Sequence, residues 1–356
     1  MHRLTAVALC GLFALAPDLA AQADSQVVAK GKKRASSTQQ QSPTSPPWYK
    51  LDGAQLAREI ARSHRDHQDI ADRLFAVSSA LLRARFVRSP LGEGQGQDAD
   101  PRFRLDAFDC TTFVETVTAL SLSSEVATIR RVLDKIRYKR GKPVFTARRH
   151  LALSQWIPGL NRAGILQDIT AAIGGDQARW ITVKLTANRW RNRRVARTLK
   201  LDLSDIPIGT HRLPYLPLAF FLNHEAQVPS GTILSVVHAD SSHSPDPISH
   251  QGLLFRKPSD GRLYMRHASQ IYKRVIDEAL EWVVRRYRKP RKWRVLGFNL
   301  QRVRAVETLW HADQTDCPWP TGEPSDSGCG SEKSPPVAEP PRHWPRSPRQ
   351  RQRIGP

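Results

Sequence analysis

The spacing of apolar positions changes part-way along the chain. Over residues 54–86, Leu56, Ile60, Ile70, Leu74, Leu81 and Leu82 recur at broadly helical intervals, and Ile129, Val132, Leu133 and Ile136 mark another helix. Further on, residues 232–237, 252–255, 262–265, 274–276 and 294–300 form short apolar or alternating runs separated by Gly, Pro, Ser and Asp, which predicts strands. A predicted helix over 277–287 interrupts them. Helices first and antiparallel strands afterwards is an α+β order, and no internal repeat is visible.

Both ends of the chain depart from this pattern. Met1-His2-Arg3 leads into an apolar run over 4–16 and then into the small residues Ala21-Gln22-Ala23, which is the layout of a secretory signal peptide over 1–23. That run is too short to cross a bilayer as a helix, and no later segment has the roughly eighteen uninterrupted apolar residues that would. The mature protein is therefore expected to be exported, to the periplasm or beyond the cell, without a transmembrane segment. Residues 24–47, rich in Lys, Ser, Thr, Gln and Pro, read as a disordered linker, and 314–356, rich in Pro, Arg and Ser, as a disordered tail. The body between them, 48–313, has the length of one large domain.

Charge and cysteine count narrow the picture. Lys and Arg number 55 against 33 Asp and Glu, a formal charge of +22, and residues 179–200 alone carry eight basic side chains. Such a surface is either simply solvated or drawn to a polyanion. An envelope supplies anionic polymers, whereas nucleic acid does not fit the leader. Cys10 belongs to the leader, so Cys110, Cys317 and Cys329 remain. Cys317 and Cys329 are close enough in sequence for a disulfide to close, which would leave Cys110 as a thiol; whether they are joined stays open. A thiol in an oxidising compartment is expected to be buried or to do chemistry.

The sharpest local feature is Phe108-Asp109-Cys110-Thr111-Thr112-Phe113-Val114-Glu115. Phe113, Val114, Val117 and Leu120 share a helical face, so Cys110 falls in the first turn of a buried helix with Asp109 as its N-cap. Unpaired N–H groups there favour thiolate over thiol. On residue type alone, a small cysteine packed in a core is the commoner outcome. Two histidines shift the balance. His250 opens one predicted strand, His267 closes the next, and the Pro258-Ser259-Asp260-Gly261 turn between them makes the strands antiparallel neighbours, so the two imidazoles meet at one sheet edge. A thiol hydrolase needs a base and a group that orients it, the roles expected of His250 and His267. His224, His238 and His243 follow no compact ligand spacing, so no metal is expected, and the chemistry requires no organic cofactor. Glu115, in the second turn, is expected to face solvent or an arginine.

Taken in order, Asp109-Cys110-Thr111, His250-Gln251-Gly252 and His267-Ala268-Ser269 resemble the Asp-Cys-small, His-x-Gly, His-Ala-Ser pattern of the NlpC-type cell-wall cysteine hydrolases. The chain is most similar to their N-acetylmuramoyl-L-alanine amidase-like branch, which shares Thr-Thr-Phe-Val-Glu after the cysteine, a segment like Thr146-Ala147-Arg148-Arg149-His150 through Trp156-Ile157 to Asp168-Ile169-Thr170, and a Pro-Tyr-x-Pro element matched by Pro214-Tyr215-Leu216-Pro217. The likeness runs from about Ser89 to about Val295. It implies a papain-like NlpC-type α+β fold, with N-terminal helices and the nucleophile helix packed on an antiparallel sheet. It also implies a cysteine acyl-enzyme acting on the bond between N-acetylmuramic acid and L-alanine in peptidoglycan. An endopeptidase of the same clan cutting after D-glutamate, a lipid acyl transferase, and a non-catalytic basic wall-binding protein are the alternatives. Arg148, Arg149, Trp156 and Asp168 are the candidates for substrate binding, since a guanidinium forks onto a carboxylate and an indole covers a sugar face, although Trp156 serves equally as a loop anchor. One departure concerns the oxyanion: these enzymes carry a tyrosine upstream of the cysteine, where this chain has Phe86 or Val87.

Overall fold

The computed structural model describes residues 46–191, 199, 201–240, 244, 246–289 and 294–305. The leader over 1–23, nearly all of the linker, the tail over 314–356, His243, Cys317, Cys329 and most of the arginine run after residue 191 lie outside the described residues.

Four helices lead. The helical periodicity over 54–86 resolves into α1 (Gly53–Asp66) and α2 (Ile70–Ala80), because two aspartates each start a helix. Asp52 caps α1 in a capping box with Gln55, and Asp69 accepts from the Ala71 amide to begin α2. After these come α3 (Cys110–Leu122) and α4 (Val126–Arg137). On α3, Phe113, Val114, Val117 and Leu120 are fully buried, as their spacing predicts.

The strands build one ten-stranded sheet of mixed α+β architecture. They are β1 (Arg85–Phe86), β2 (Ala107–Phe108), β3 (Leu166–Asp168), β4 (Arg179–Leu185), β5 (Gly209–Pro217), β6 (Thr232–His238), β7 (Ile248–Arg256), β8 (Leu263–Ser269), β9 (Arg274–Ala279) and β10 (Val295–Val303). Their order is β2-β1-β9-β8-β7-β6-β10-β5-β4, with β3 against β10. The expectation of a purely antiparallel sheet needs one correction: β1 and β2 run parallel at one end. The five predicted strands all appear, each longer than its apolar run. The helix expected over 277–287 begins later, at Leu280, because Asp277, Glu278 and Ala279 pair with Arg266, Met265 and Tyr264 as the last rungs of β9. The basic block at 179–200 contains β4, whose Ile181, Val183 and Leu185 are buried on one face while Trp180, Thr182 and Lys184 face outward.

Alternation splits the core into two layers. Leu253, Phe255, Ala268 and Val275 join the cluster containing α1 to α4, while Leu254, Met265, Phe298 and Leu300 join that of the helix Leu280–Arg288. No helix among the described residues is long and apolar enough to cross a membrane.

Candidate active site

Cys110 is the first residue of α3, and the structure around it is local in origin. Asp109 is extended and fully buried, and its Oδ1 accepts from the Thr112 amide at 2.8 Å. The Asp109 amide donates in return to Thr112 Oγ1 at 2.9 Å, which completes a capping box. The other carboxylate oxygen accepts from the Ser89 amide at 3.1 Å and so ties the 89–94 segment to the helix start. Cys110 is almost fully buried, and it is disulfide-bonded, so the thiol expected from the sequence is not the form held here. Upstream, the Phe86 amide donates to Lys273 O and the Val87 amide to Phe108 O, each at 2.9 Å, so this segment offers an oxyanion neither a hydroxyl nor these N–H groups.

The two histidines meet as the strand order requires. His250 Nε2 lies 2.7 Å from His267 Nδ1, with the ring planes nearly perpendicular. Gly252 makes this approach feasible. In the register that pairs Leu253 with Arg266, Gly252 comes next to His267, and a Cβ at Gly252 would stand 2.9 Å from His267 Cβ and 2.9 Å from the Arg266 carbonyl oxygen. Glu278 extends the row: its Oε2 lies 3.3 Å from His267 Nε2, while its Oε1 is bonded by Arg286 Nη1. This carboxylate comes from the segment that the apolar pattern assigns to a helix, and only the strand pairing sets it beside His267. Burial, and then the charges of His267 and Arg286, push the His250 pKa well below its ordinary value. Burial also lowers His267, against the pull of Glu278, so both rings are neutral at neutral pH. A hydrogen bond joins this row to the cysteine helix: Thr111 Oγ1 donates to Gln251 Oε1 at 3.0 Å, one residue on from Cys110 and from His250.

Beside His250 lies a cavity of about 50 Å³, lined by Thr111, Glu115, Arg148, Arg149 and Trp156 among others. That space holds a few water-sized groups rather than a sugar ring. Three of the four predicted substrate-binding residues line it, yet each is already engaged. Trp156 is 1% exposed, and its Nε1 donates to Glu115 Oε1 at 2.9 Å, so the indole is a buried anchor with no face for a sugar. Arg148 donates from Nε and Nη2 to Glu93 at 2.9 and 2.6 Å and from Nη2 to Asp98 at 2.9 Å, which leaves only Nη1 without a hydrogen-bond partner among the described residues. Arg149 binds the carbonyls of Lys135, Ile136 and Tyr138 at the end of α4. Asp168 does not line the cavity. It sits on β3, accepting from Asn299 at 2.7 Å and Gln301 at 2.6 Å, and holds β3 to β10. Asp168 is half-buried, and these bonds engage its carboxylate within the fold.

Glu115, set aside on sequence grounds, is fully buried between Trp156 and Arg137, whose Nε stands 3.1 Å away, and burial raises its pKa to about 7. Its expected arginine partner is present, but not at the surface. Nearby, Asp246 accepts from the amides of Ala152, Leu153 and Ile248 and fastens the 151–156 turn to β7. Of the histidines whose spacing gave no ligand motif, His224 bonds Gln177 and His238, at the end of β6, bonds Ser249.

A family model described as N-acetylmuramoyl-L-alanine amidase-like matches residues 76–289, a span that includes the cysteine helix, both histidines and Glu278. The chain belongs to the N-acetylmuramoyl-L-alanine amidase-like family. A solved structure of a Legionella pneumophila protein is similar to it with a TM-score of 0.60 and 24% identity, covering 70% of this chain and 95% of that one. An N-acetylmuramoyl-L-alanine amidase from Bacteroides uniformis is similar with a TM-score of 0.52 and 21% identity, covering 66% and 98%. No curated protein matches. At these identities the two structures speak for a shared fold. The family model supplies the chemistry, a hydrolase acting on amides, and sets this amidase-like chain's buried histidine pair inside the matched segment.

Proposed function

We propose that this protein is an exported peptidoglycan amidase of the NlpC-type, papain-like kind, with Cys110 as nucleophile, His250 as base and His267 as the residue that orients it. What carries the reading is the 2.7 Å His250–His267 contact, tethered through Gln251 and Thr111 to the capped start of the Cys110 helix. Thiol–disulfide exchange with a dithiol reductant must first release the Cys110 thiol, the reductant leaving as its disulfide. His250 takes the thiol proton. The thiolate adds to the amide carbonyl, with the new oxyanion facing the N–H groups at the helix start. The C–N bond then breaks as His250 returns the proton to the leaving amine. Water, activated by the same imidazole, hydrolyses the thioester and regenerates the thiol. No step calls for a metal. The bond proposed is that between N-acetylmuramic acid and L-alanine.

The leader-like residues 1–23 support export, which fractionation of producing cells tests, and the basic surface suits anionic envelope polymers. Digestion of purified peptidoglycan with reductant present, followed by mass analysis, tests bond and mechanism together. Free stem peptides beginning at L-alanine are expected, and Cys110→Ala should abolish them. Fragments cut after D-glutamate would reassign the bond; digestion undiminished in Cys110→Ala would remove the cysteine mechanism.

A further inference from the structure

His250 Nε2 and His267 Nδ1 share one proton, and each neutral ring carries a single N–H. Two arrangements exist. In the first, His250 Nε2–H donates to a bare His267 Nδ1, so His250 Nδ1 keeps its lone pair and can accept a proton from sulfur. In the second, His267 Nδ1–H donates to a bare His250 Nε2; His250 then carries its proton on Nδ1 and cannot act as a base there. The histidine pair alone does not select between them.

The far side of His267 does. His267 Nε2 and Glu278 Oε2 are both buried and face each other at 3.3 Å, and neither forms a well-aligned hydrogen bond with any described residue. A carboxylate only accepts, so this pair is satisfied when His267 carries its proton on Nε2 and is repulsive when that nitrogen is bare. We infer that Glu278 is a positioning residue: by holding the His267 proton on Nε2, it forces His250 into the tautomer whose Nδ1 is the free base. Burial would raise the Glu278 carboxyl, but its interactions with His267 and Arg286 outweigh that and hold it below its ordinary value. The neighbouring Asp277 is paired with Arg266 and Lys257 and does not compete. The geometry belongs to strand pairing: His267 is opposite Ile276 in β9, and Glu278 is two residues on, on the same face.

The inference rests on the proposed role of His250, but its test does not require turnover. In the disulfide form no thiol can protonate His250, so histidine-¹⁵N spectra read the neutral tautomers directly, with His250→Gln and His267→Gln assigning the signals. Both rings are expected to show protonated Nε2 and bare Nδ1; a protonated Nδ1 on His267 overturns the inference. Glu278→Gln, nearly isosteric, removes the rule that this position only accepts. It should yield mixed tautomers, and in the reduced enzyme should lower kcat about 100-fold with KM within about twofold, less than the roughly 10⁴-fold lost when the residue bonded directly to the base is altered. Unchanged tautomers or unchanged kcat in Glu278→Gln overturn it as well. Should Cys110→Ala leave digestion intact while the wild-type tautomers are as expected, the cysteine mechanism falls and the positioning by Glu278 stands.

Discussion

Adding one methyl group to Gly252 should damage stability and turnover together. The Cβ of Gly252→Ala would lie 2.7 Å from Met265 Cε, 2.9 Å from the Arg266 carbonyl oxygen and 2.9 Å from His267 Cβ, where ordinary contact begins at 3.4 Å. The Met265 methyl ends a flexible side chain and can swing aside. The carbonyl and the His267 Cβ belong to the backbone framework of β8, so relief requires β8 to retreat from β7 by about half an ångström, in a core that transmits strain. Overpacking of this kind costs about 1–3 kcal/mol. For a body of this size, Tm falls by about 2–4 °C per kcal/mol. The same retreat stretches the 2.7 Å His250–His267 contact toward the long limit near 3.2 Å, so kcat should fall about tenfold while KM holds. Chemical denaturation gives the first quantity and turnover of a soluble muropeptide the second. Gly53→Ala is the control, since a Cβ there meets nothing within 4 Å at the first residue of α1, and it should be neutral or stabilising by up to about 1 kcal/mol. If Gly252→Ala unfolds at the wild-type denaturant concentration and turns over at the wild-type rate, the close approach of β7 and β8 is not what holds the pair.

Two further expectations concern the buried charges. Glu115 ionises near pH 7 in the fold instead of near 4.5, because burial penalises its charge, so the native state holds that proton more tightly and the contribution of this group to stability falls as pH rises from about 4.5 to about 7. The full swing is about 3 kcal/mol. Glu115→Gln keeps an acceptor for Trp156 and should flatten that part of the unfolding-free-energy curve; an unchanged slope would assign it to other groups, Asp246 first, which burial raises to about 6. Arg148→Met strands the Glu93 and Asp98 carboxylates and should cost about 3–5 kcal/mol in urea unfolding, whereas a reader of substrate would lose KM and leave stability untouched.

How much was legible depended on the range of the forces involved. The start of α3 is written in eight adjacent residues, since capping and helical periodicity act over one or two turns, and the structure reproduces it. The meeting of His250 and His267 was readable because a tight turn fixes which strand ends are neighbours. Trp156 was harder: its neighbours in sequence are compatible with an exposed platform or a buried anchor, and only the approach of Glu115, forty-one positions away, turns its N–H inward. Glu278 gave a misleading signal, because Asp277-Glu278 ahead of an apolar run looks like the first turn of a helix.

By itself, then, the amino-acid order determined α1 to α4, five of the strands, the capped cysteine and the histidine pair, all products of short-range periodicity and turn chemistry. Tertiary structure alone decided which charges are buried against which. It engaged Arg148, Arg149 and Asp168 with partners inside the fold, and it put Glu278 rather than any of them beside His267. The reason is that an ion pair's partner is chosen by packing across layers of the core, and nothing in the local spacing of a charged residue records what will lie opposite it once the sheet has closed.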